Sequence, residues 1–298
     1  MDNRALGTLA TLLGACFWGT SGACGQYLFT NYVIDSAWLT ALRMFVAGLL
    51  LTLFSCLVYR HRLRELFSSS SDLKRLFLFA VLGVLLGQYT YLEAIAQTNA
   101  GTATVLSYTM PVMVLGYVCL SERRRPTLKE AAAISLAASG VVILATHGNL
   151  EHLVMTPTGL AWGLAAGFTM AVYSLLPRNL MARYGSVPVV GTGMLLGGII
   201  ASFPARLWRH CPDLDIYGIA AILGVVLLGT LFSFTLYLTG VRMIGAVKAS
   251  MLSSVEPVVA TLLSVVWLGT SFMPLDIAGF ALVIAAVLVT ASGTHSKA

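Results

Sequence analysis

The chain is 298 residues long, 58 % of them apolar and 10 % charged, with a formal charge of +6 and a mean hydropathy of +0.86. Soluble globular chains run at roughly 45–50 % apolar and about 25 % charged, so these few charges cannot cover a soluble fold of this size. The same counts exclude a disordered chain, a collagen-like fibre and a small disulfide scaffold, and they argue against an ordinary cytosolic enzyme. The apolar runs lack the two-residue alternation of a β-barrel, so the chain reads as an all-α integral membrane protein.

A transmembrane helix needs about 20 predominantly apolar residues. In chain order that ruler gives ten candidates, at roughly 6–28, 36–58, 76–96, 102–120, 128–146, 158–181, 187–207, 216–240, 247–268 and 275–293. The first is too long for the apolar stretch of a signal peptide and has no clear small-x-small cleavage site, so it is expected to stay as a helix. Arg60, Arg62, Arg64, Lys74 and Arg75 follow the second span, and Arg123, Arg124, Arg125 and Lys129 the fourth. Arg178 and Arg183 follow the sixth, and Arg242 and Lys248 the eighth. The opposite gaps hold Arg206 and Arg209, beside Asp213 and Asp215. Basic residues collect on the cytoplasmic side. The sequence therefore predicts a multi-pass protein of the cytoplasmic (inner or plasma) membrane, with both termini in the cytoplasm and an even number of spans.

These basic residues are spread between apolar runs rather than gathered on one solvated face, so no nucleic-acid partner is expected. Cys16, Cys24, Cys56 and Cys119 sit inside apolar runs and Cys211 in a gap. The histidines, His61, His147, His152, His210 and His295, fall in gaps or at ends. Neither set forms a disulfide framework or a metal pattern, and no cofactor is expected.

Self-comparison is more informative. At a shift of 146, Tyr91–Val112 matches Tyr237–Val258 at 8 of 22 positions: Tyr91/Tyr237, Leu92/Leu238, Ala100/Ala246, Ala103/Ala249, Leu106/Leu252, Ser107/Ser253, Pro111/Pro257 and Val112/Val258. Chance in so apolar a chain gives roughly two. The match joins spans three and four to spans eight and nine, so the unit is five helices, residues 1–148 and 157–293. Five is odd, and the two halves therefore enter the membrane from opposite sides. Inverted repeats are a hallmark of secondary transporters, because mirror-related halves can exchange roles as gates around a midplane site.

Ionisable side chains within the hydrocarbon are functional candidates by default. Arg43 lies roughly 12 Å below the outer end of span two and Glu93 some 6 Å below that of span three, which predicts an ion pair, either a substrate clamp or a structural pin. Glu256 lies some 13 Å in from the cytoplasmic end of span nine, beside Pro257, where a proline frees a carbonyl and weakens the helix. A carboxylate there suits a cationic group or a coupling proton, or else stitches two helices together. Met110 stands at the matching place beside Pro111, so any charge role is asymmetric. Pro111 and Pro257 are the candidate hinges. Trp18, Gln88, Tyr89, Thr104, Ser107, Tyr108, Tyr173, Ser174, Tyr237, Ser250 and Ser253 are the candidate cavity lining, although each alone also suits an interfacial belt or a bond to its own helix. Gly83-x3-Gly87, Gly163-x3-Gly167 and Gly193-x3-Gly197 have the spacing of close helix crossings.

"LRMF" around Arg43, "SYTMPVMVLGYVCLSE" ending at Glu122 and "SSVEPVVATLLSVVWLG" around Glu256, set in two inverted fives, resemble the drug/metabolite transporter superfamily, EamA branch, over essentially the whole chain. One departure is that members often carry Glu at the end of both the fourth and ninth spans, whereas Thr270 stands at the second place. The resemblance implies a cytoplasmic-membrane carrier whose central cavity is formed by spans 1, 3, 4, 6, 8 and 9, with five and ten peripheral. It also implies export of amino acids or related metabolites.

A primary pump is disfavoured, since no GxxxxGK[ST] is present and the loops are short. An intramembrane protease lacks its Asp pair or Ser–His dyad, and no channel filter is evident. The expectation is a non-enzymatic secondary carrier working by alternating access, with a small-molecule substrate and a possible coupling proton, as a monomer or homodimer in the bilayer. The alternatives are a membrane receptor or scaffold that transports nothing, or a carrier of nucleosides, sugars or cationic drugs.

Overall fold

The computed structural model describes residues 3–149, 153–209 and 212–293. Cys211, His152, His210 and His295 lie outside them. Every regular element among the described residues is helical. The helices are α1 (Asn3–Asn31), α2 (Ser36–Val58), α3 (Arg60–Ser68), α4 (Ser70–Gln97), α5 (Ala100–Ser121), α6 (Leu128–Thr146), α7 (Pro157–Leu175), α8 (Arg178–Tyr184), α9 (Ser186–Ser202), α10 (Ile216–Ile244), α11 (Ala246–Ser253 continuing as Val255–Val266) and α12 (Pro274–Gly293).

By length and composition, α2, α4, α5, α6, α7, α10 and the Lys248–Val266 part of α11 are able to cross a membrane, seven among the described residues. α9 is apolar but shorter, α12 is apolar over Pro274–Thr290, and the 29-residue α1 carries more polar side chains.

The starts of these helices are written in the sequence. The first turn of a helix leaves backbone N–H groups unpaired, and near lipid each must find an acceptor. Asp35, Asn99, Thr156 and Asp215 accept from the first turns of α2, α5, α7 and α10. Thr127 and Glu130 form a reciprocal capping box on α6. Arg124 donates twice to Glu130, at 2.7 and 2.9 Å, and once to Glu122, at 2.7 Å, which staples the α5–α6 turn. Glu122 therefore has a structural place at the helix end. Gly185 and Gly245 make the turns into α9 and α11 at φ +90° and +85°, where a side chain would be strained.

Two irregularities recur at the 146-residue shift. α4 passes through a π-type stretch at Phe79–Leu85, and α10 through one at Gly224–Phe232. α5 is interrupted at Tyr108 and Thr109, just before Pro111, and α11 at Ser254, just before Pro257.

α1, α4, α5, α7, α10 and α11 surround the centre, while α2 packs along α9 and α6 along α12 as outer pairs. Successive long helices run alternately between a near face, where α1 begins, and a far face, where it ends. The core on the far side gathers Leu28, Leu39, Tyr91, Leu92 and Ile95. Towards the near side it gathers Met44, Leu66, Leu76, Phe79 and Met194. His147 meets Asp276 at 2.6 Å, tying α6 to α12.

Candidate functional site

A cavity of about 390 Å3 lies among the central helices, reaching from mid-depth towards the near face. This is within the range of about 300–1,000 Å3 common for small-molecule sites. α1 contributes Trp18, whose ring packs edge-on against Phe234 at 5.3 Å and tilted on Tyr237 at 5.2 Å. α4 contributes Gln88 and Tyr91, α5 Ser107, Tyr108 and Pro111, α7 Tyr173 and Ser174, and α11 Ser250, Ser253 and Glu256. Arg43 reaches in from α2.

Small residues let the backbone close in around these groups. A methyl group on Gly19 would fall 2.7 Å from the Glu256 carbonyl, so α1 lies against the turn that carries the carboxylate. One on Gly229 would fall 1.9 Å from Ser21 Oγ. At Gly229 the π-type stretch turns its carbonyl to Arg43 Nη2 at 3.0 Å, and Thr230 Oγ1 accepts from Arg43 Nε at 2.9 Å. Arg43 is 5 % exposed. The Tyr108 hydroxyl lies 2.7 Å from the Ser253 carbonyl and 3.0 Å from Glu256 Oε2. That carbonyl belongs to the last turn before the break at Ser254.

The far side of the cavity is shut. Tyr91 and Thr104 share a hydrogen bond at 2.8 Å. Above them Gln26 of α1 holds three groups at once. Its Nε2 donates to Thr270 Oγ1 at 2.8 Å, and its Oε1 accepts from Ala100 N at 2.8 Å and Ser264 Oγ at 2.9 Å. The counterparts of Tyr91 and Thr104 at the 146-residue shift are Tyr237 and Ser250. Both line the cavity, and they share no hydrogen bond.

Several sequence expectations are corrected. Arg43 and Glu93 do not pair. Glu93 accepts from the Ser36 hydroxyl and from Gln97 Nε2 at 3.1 Å, at the far rim. Ser36 precedes Arg43 by seven residues on α2, about 10 Å of helix, so the two depths differ too much for contact. Tyr89 also leaves the cavity and packs edge-on against Trp162 at 5.6 Å. Thr104 is fully buried against Tyr91 rather than lining the cavity. Met170, Met181, Phe234, Ser186 and Leu238 line the cavity without having been singled out. A methionine facing the centre reads like one facing lipid. The support of Arg43 had one readable clue, since Gly229 matches Gly83 at the same 146-residue shift.

The model of the EamA-like transporter family matches residues 5–146 and again 157–292. The chain belongs to that family. It is 36 % identical over 301 residues to the uncharacterized inner membrane transporter YicL of Salmonella typhimurium, covering 100 % of this chain and 99 % of that one. It is 26 % identical over 256 residues to the threonine/homoserine exporter RhtA of Escherichia coli, across 85 % and 81 % of the two chains. A probable terminal-alkyne amino-acid exporter of Streptantibioticus cattleyicolor is 31 % identical over 198 residues, 64 % of this chain and 63 % of that one. A solved crystal structure, 18 % identical, superposes with a TM-score of 0.61 over 97 % of each chain, which shows a shared fold. This EamA-family chain is thus a multi-pass membrane transporter.

Proposed function

We propose that the protein is a secondary carrier that moves an amino acid or related small metabolite out across the cytoplasmic membrane by alternating access. The observation that carries this reading is the unequal state of one repeated pair. Tyr91–Thr104 is closed in the first half, while Tyr237–Ser250 is open in the second. Two halves of opposite orientation that exchange these states expose the same cavity to either side in turn. In this reading α1, α9 and α12 also cross, giving ten spans in two five-helix halves. The near face, with Arg60, Arg62, Arg64, Lys74, Arg75 and Arg183, is cytoplasmic, and the structure is the inward-facing state. The two relatives named as amino-acid exporters support the substrate class and the direction.

Glu256 is the coupling residue in this mechanism. As a carboxylate it accepts a hydrogen bond from the Tyr108 hydroxyl. When protonated it donates to that hydroxyl, which then turns to the Ser253 carbonyl. Proton loading thereby remakes a bond at the break in α11. Arg43 from α2, Tyr91 from α4, Tyr108 from α5 and Tyr237 from α10 surround it.

Flux in proteoliposomes under an imposed pH gradient, with a labelled pool of amino acids, nucleosides and sugar phosphates, tests the reading. Amino acids should move, and Glu256→Gln should abolish the dependence on the gradient. A folded protein that moves nothing would favour a receptor. Movement of nucleosides alone would reassign the substrate.

A further inference from the structure

Arg43 and Glu256 are opposite charges on opposite halves of the chain that face one cavity without pairing with each other. Each is only partly satisfied by the protein. Arg43 commits Nε and Nη2 to Thr230 and Gly229 and leaves Nη1. Glu256 commits Oε2 to Tyr108 and leaves Oε1. A buried charge with no partner is costly, and removing one of two complementary charges is more damaging than removing both. A purely cationic ligand satisfies Glu256 and adds to the field of Arg43. A purely anionic one does the reverse. The ligand that neutralises both walls is a dipolar ion.

We infer that the cavity recognises a zwitterion by its two ends, the ligand carboxylate at Arg43 Nη1 and the ligand ammonium at Glu256 Oε1, with an apolar substituent received by the rest of the wall. The inference rests on the carrier reading and adds to it the two poles of recognition and the character of the side chain. Guanidinium suits a carboxylate by its planar donor geometry. Aromatic faces around a carboxylate also favour an ammonium, and Tyr108 and Tyr237 supply them. Phe234 and Met181 towards the near face, with Met170 deeper in the wall, offer an apolar, adaptable surface. The single carboxylate fixes the direction of the ligand, because Met110 occupies the place of Glu256 in the first half.

The test uses the full-length protein in proteoliposomes, with labelled L-phenylalanine as the probe. Competitors are unlabelled L-phenylalanine, L-methionine, L-phenylalaninamide (carboxylate charge removed), N-acetyl-L-phenylalanine (ammonium removed), phenethylamine and L-serine. L-phenylalanine and L-methionine should compete best. Each compound lacking one charge should be weaker by about tenfold or more, the size of one lost charge-assisted bond. Glu256→Gln should erase the preference over N-acetyl-L-phenylalanine and keep that over the amide, and Arg43→Gln should do the opposite. If Arg43→Gln does not fold, the near-isosteric Glu256→Gln decides alone. The inference is overturned if phenethylamine competes as well as L-phenylalanine, if L-serine outcompetes both apolar amino acids, or if L-phenylalanine does not bind. Counterflow of L-phenylalanine in the same liposomes separates the two readings. Counterflow without head-group discrimination sinks only this inference, and discrimination without counterflow sinks the carrier.

Discussion

Replacing Gln26 with leucine preserves bulk and deletes three hydrogen bonds, to Thr270, Ala100 and Ser264. Ala100 and Ser264 are fully buried, so one N–H and one O–H lose their acceptor, each at about 1–3 kcal/mol. Thr270 is partly exposed and rebonds to water. The Ser264 hydroxyl recovers part of its loss by turning to a carbonyl of its own helix, which leaves a net cost of about 2–4 kcal/mol. In the alternating-access reading proposed above, all three bonds tie α1 to elements that part when the far face opens, so the cost falls on the shut form. The equilibrium should move towards the far-open form by about 30- to 1,000-fold, at 1.4 kcal/mol per tenfold. Ala103→Cys, fully buried behind the far-side core, is the reporter, in a background with the native cysteines replaced. A membrane-impermeant thiol reagent applied at the far face should label it faster in Gln26→Leu by that factor, while labelling of a near-face cysteine falls or stays level. Equal labelling rates at Ala103→Cys with and without the change would refute Gln26 as a latch.

At Gly48 an added methyl group would fall 2.3 Å from the Leu195 backbone nitrogen, where no side chain can move aside. Gly48→Ala should therefore separate α2 from α9 and destabilise the protein by about 1–3 kcal/mol, read as a lower thermal midpoint in detergent. Gly116→Ala, with nothing within 4 Å of the added carbon, should leave that midpoint unchanged or raise it. Asp215 accepts from the Tyr32 hydroxyl and from Gly218 N at 2.8 Å, and these bonds hold its carboxyl below the usual carboxylate range. Its folded pKa is depressed, so its contribution to stability is complete above the unfolded value near 3.9 and is lost as the pH falls through the folded one. Tyr32→Phe should accordingly lower the midpoint at pH 6.5 more than at pH 3.5, and an equal loss at both would contradict the assignment.

The parts of the fold that were legible are those written in local chemistry. Span two was placed at 36–58 because an apolar run of the right length ends there, just ahead of the basic residues from Arg60, and the helix has those ends. The interruptions before Pro111 and Pro257 were readable for the same reason, since a proline cannot donate to the helix ladder. Depth was not legible. Arg43 and Glu93 were placed roughly 12 and 6 Å below their helix ends, and that gap of about four residues at 1.5 Å each, read as within reach of a pair, is enough to break the contact. Gln26 was passed over because one glutamine in a span reads as an exception to an apolar run. Its three partners lie 74, 238 and 244 positions away in sequence, and only the folded helices bring them together.

The π-type turns in α4 and α10 set the aim of everything beyond them. A regular α-helix advances about 100° per residue, and a π-type turn accommodates an extra one. Deleting a single residue from Phe79–Leu85 would restore a regular ladder and swing the far half of α4 through about a quarter turn or more. Gln88 and Tyr91 would leave the cavity, and the bond to Thr104 would go with them. The same deletion in Gly224–Phe232 would turn Tyr237 away from Trp18 and withdraw the Gly229 carbonyl from Arg43. The two stretches act as angular offsets between the ends of their helices, and a helical wheel drawn straight through either one assigns its far half to the wrong face.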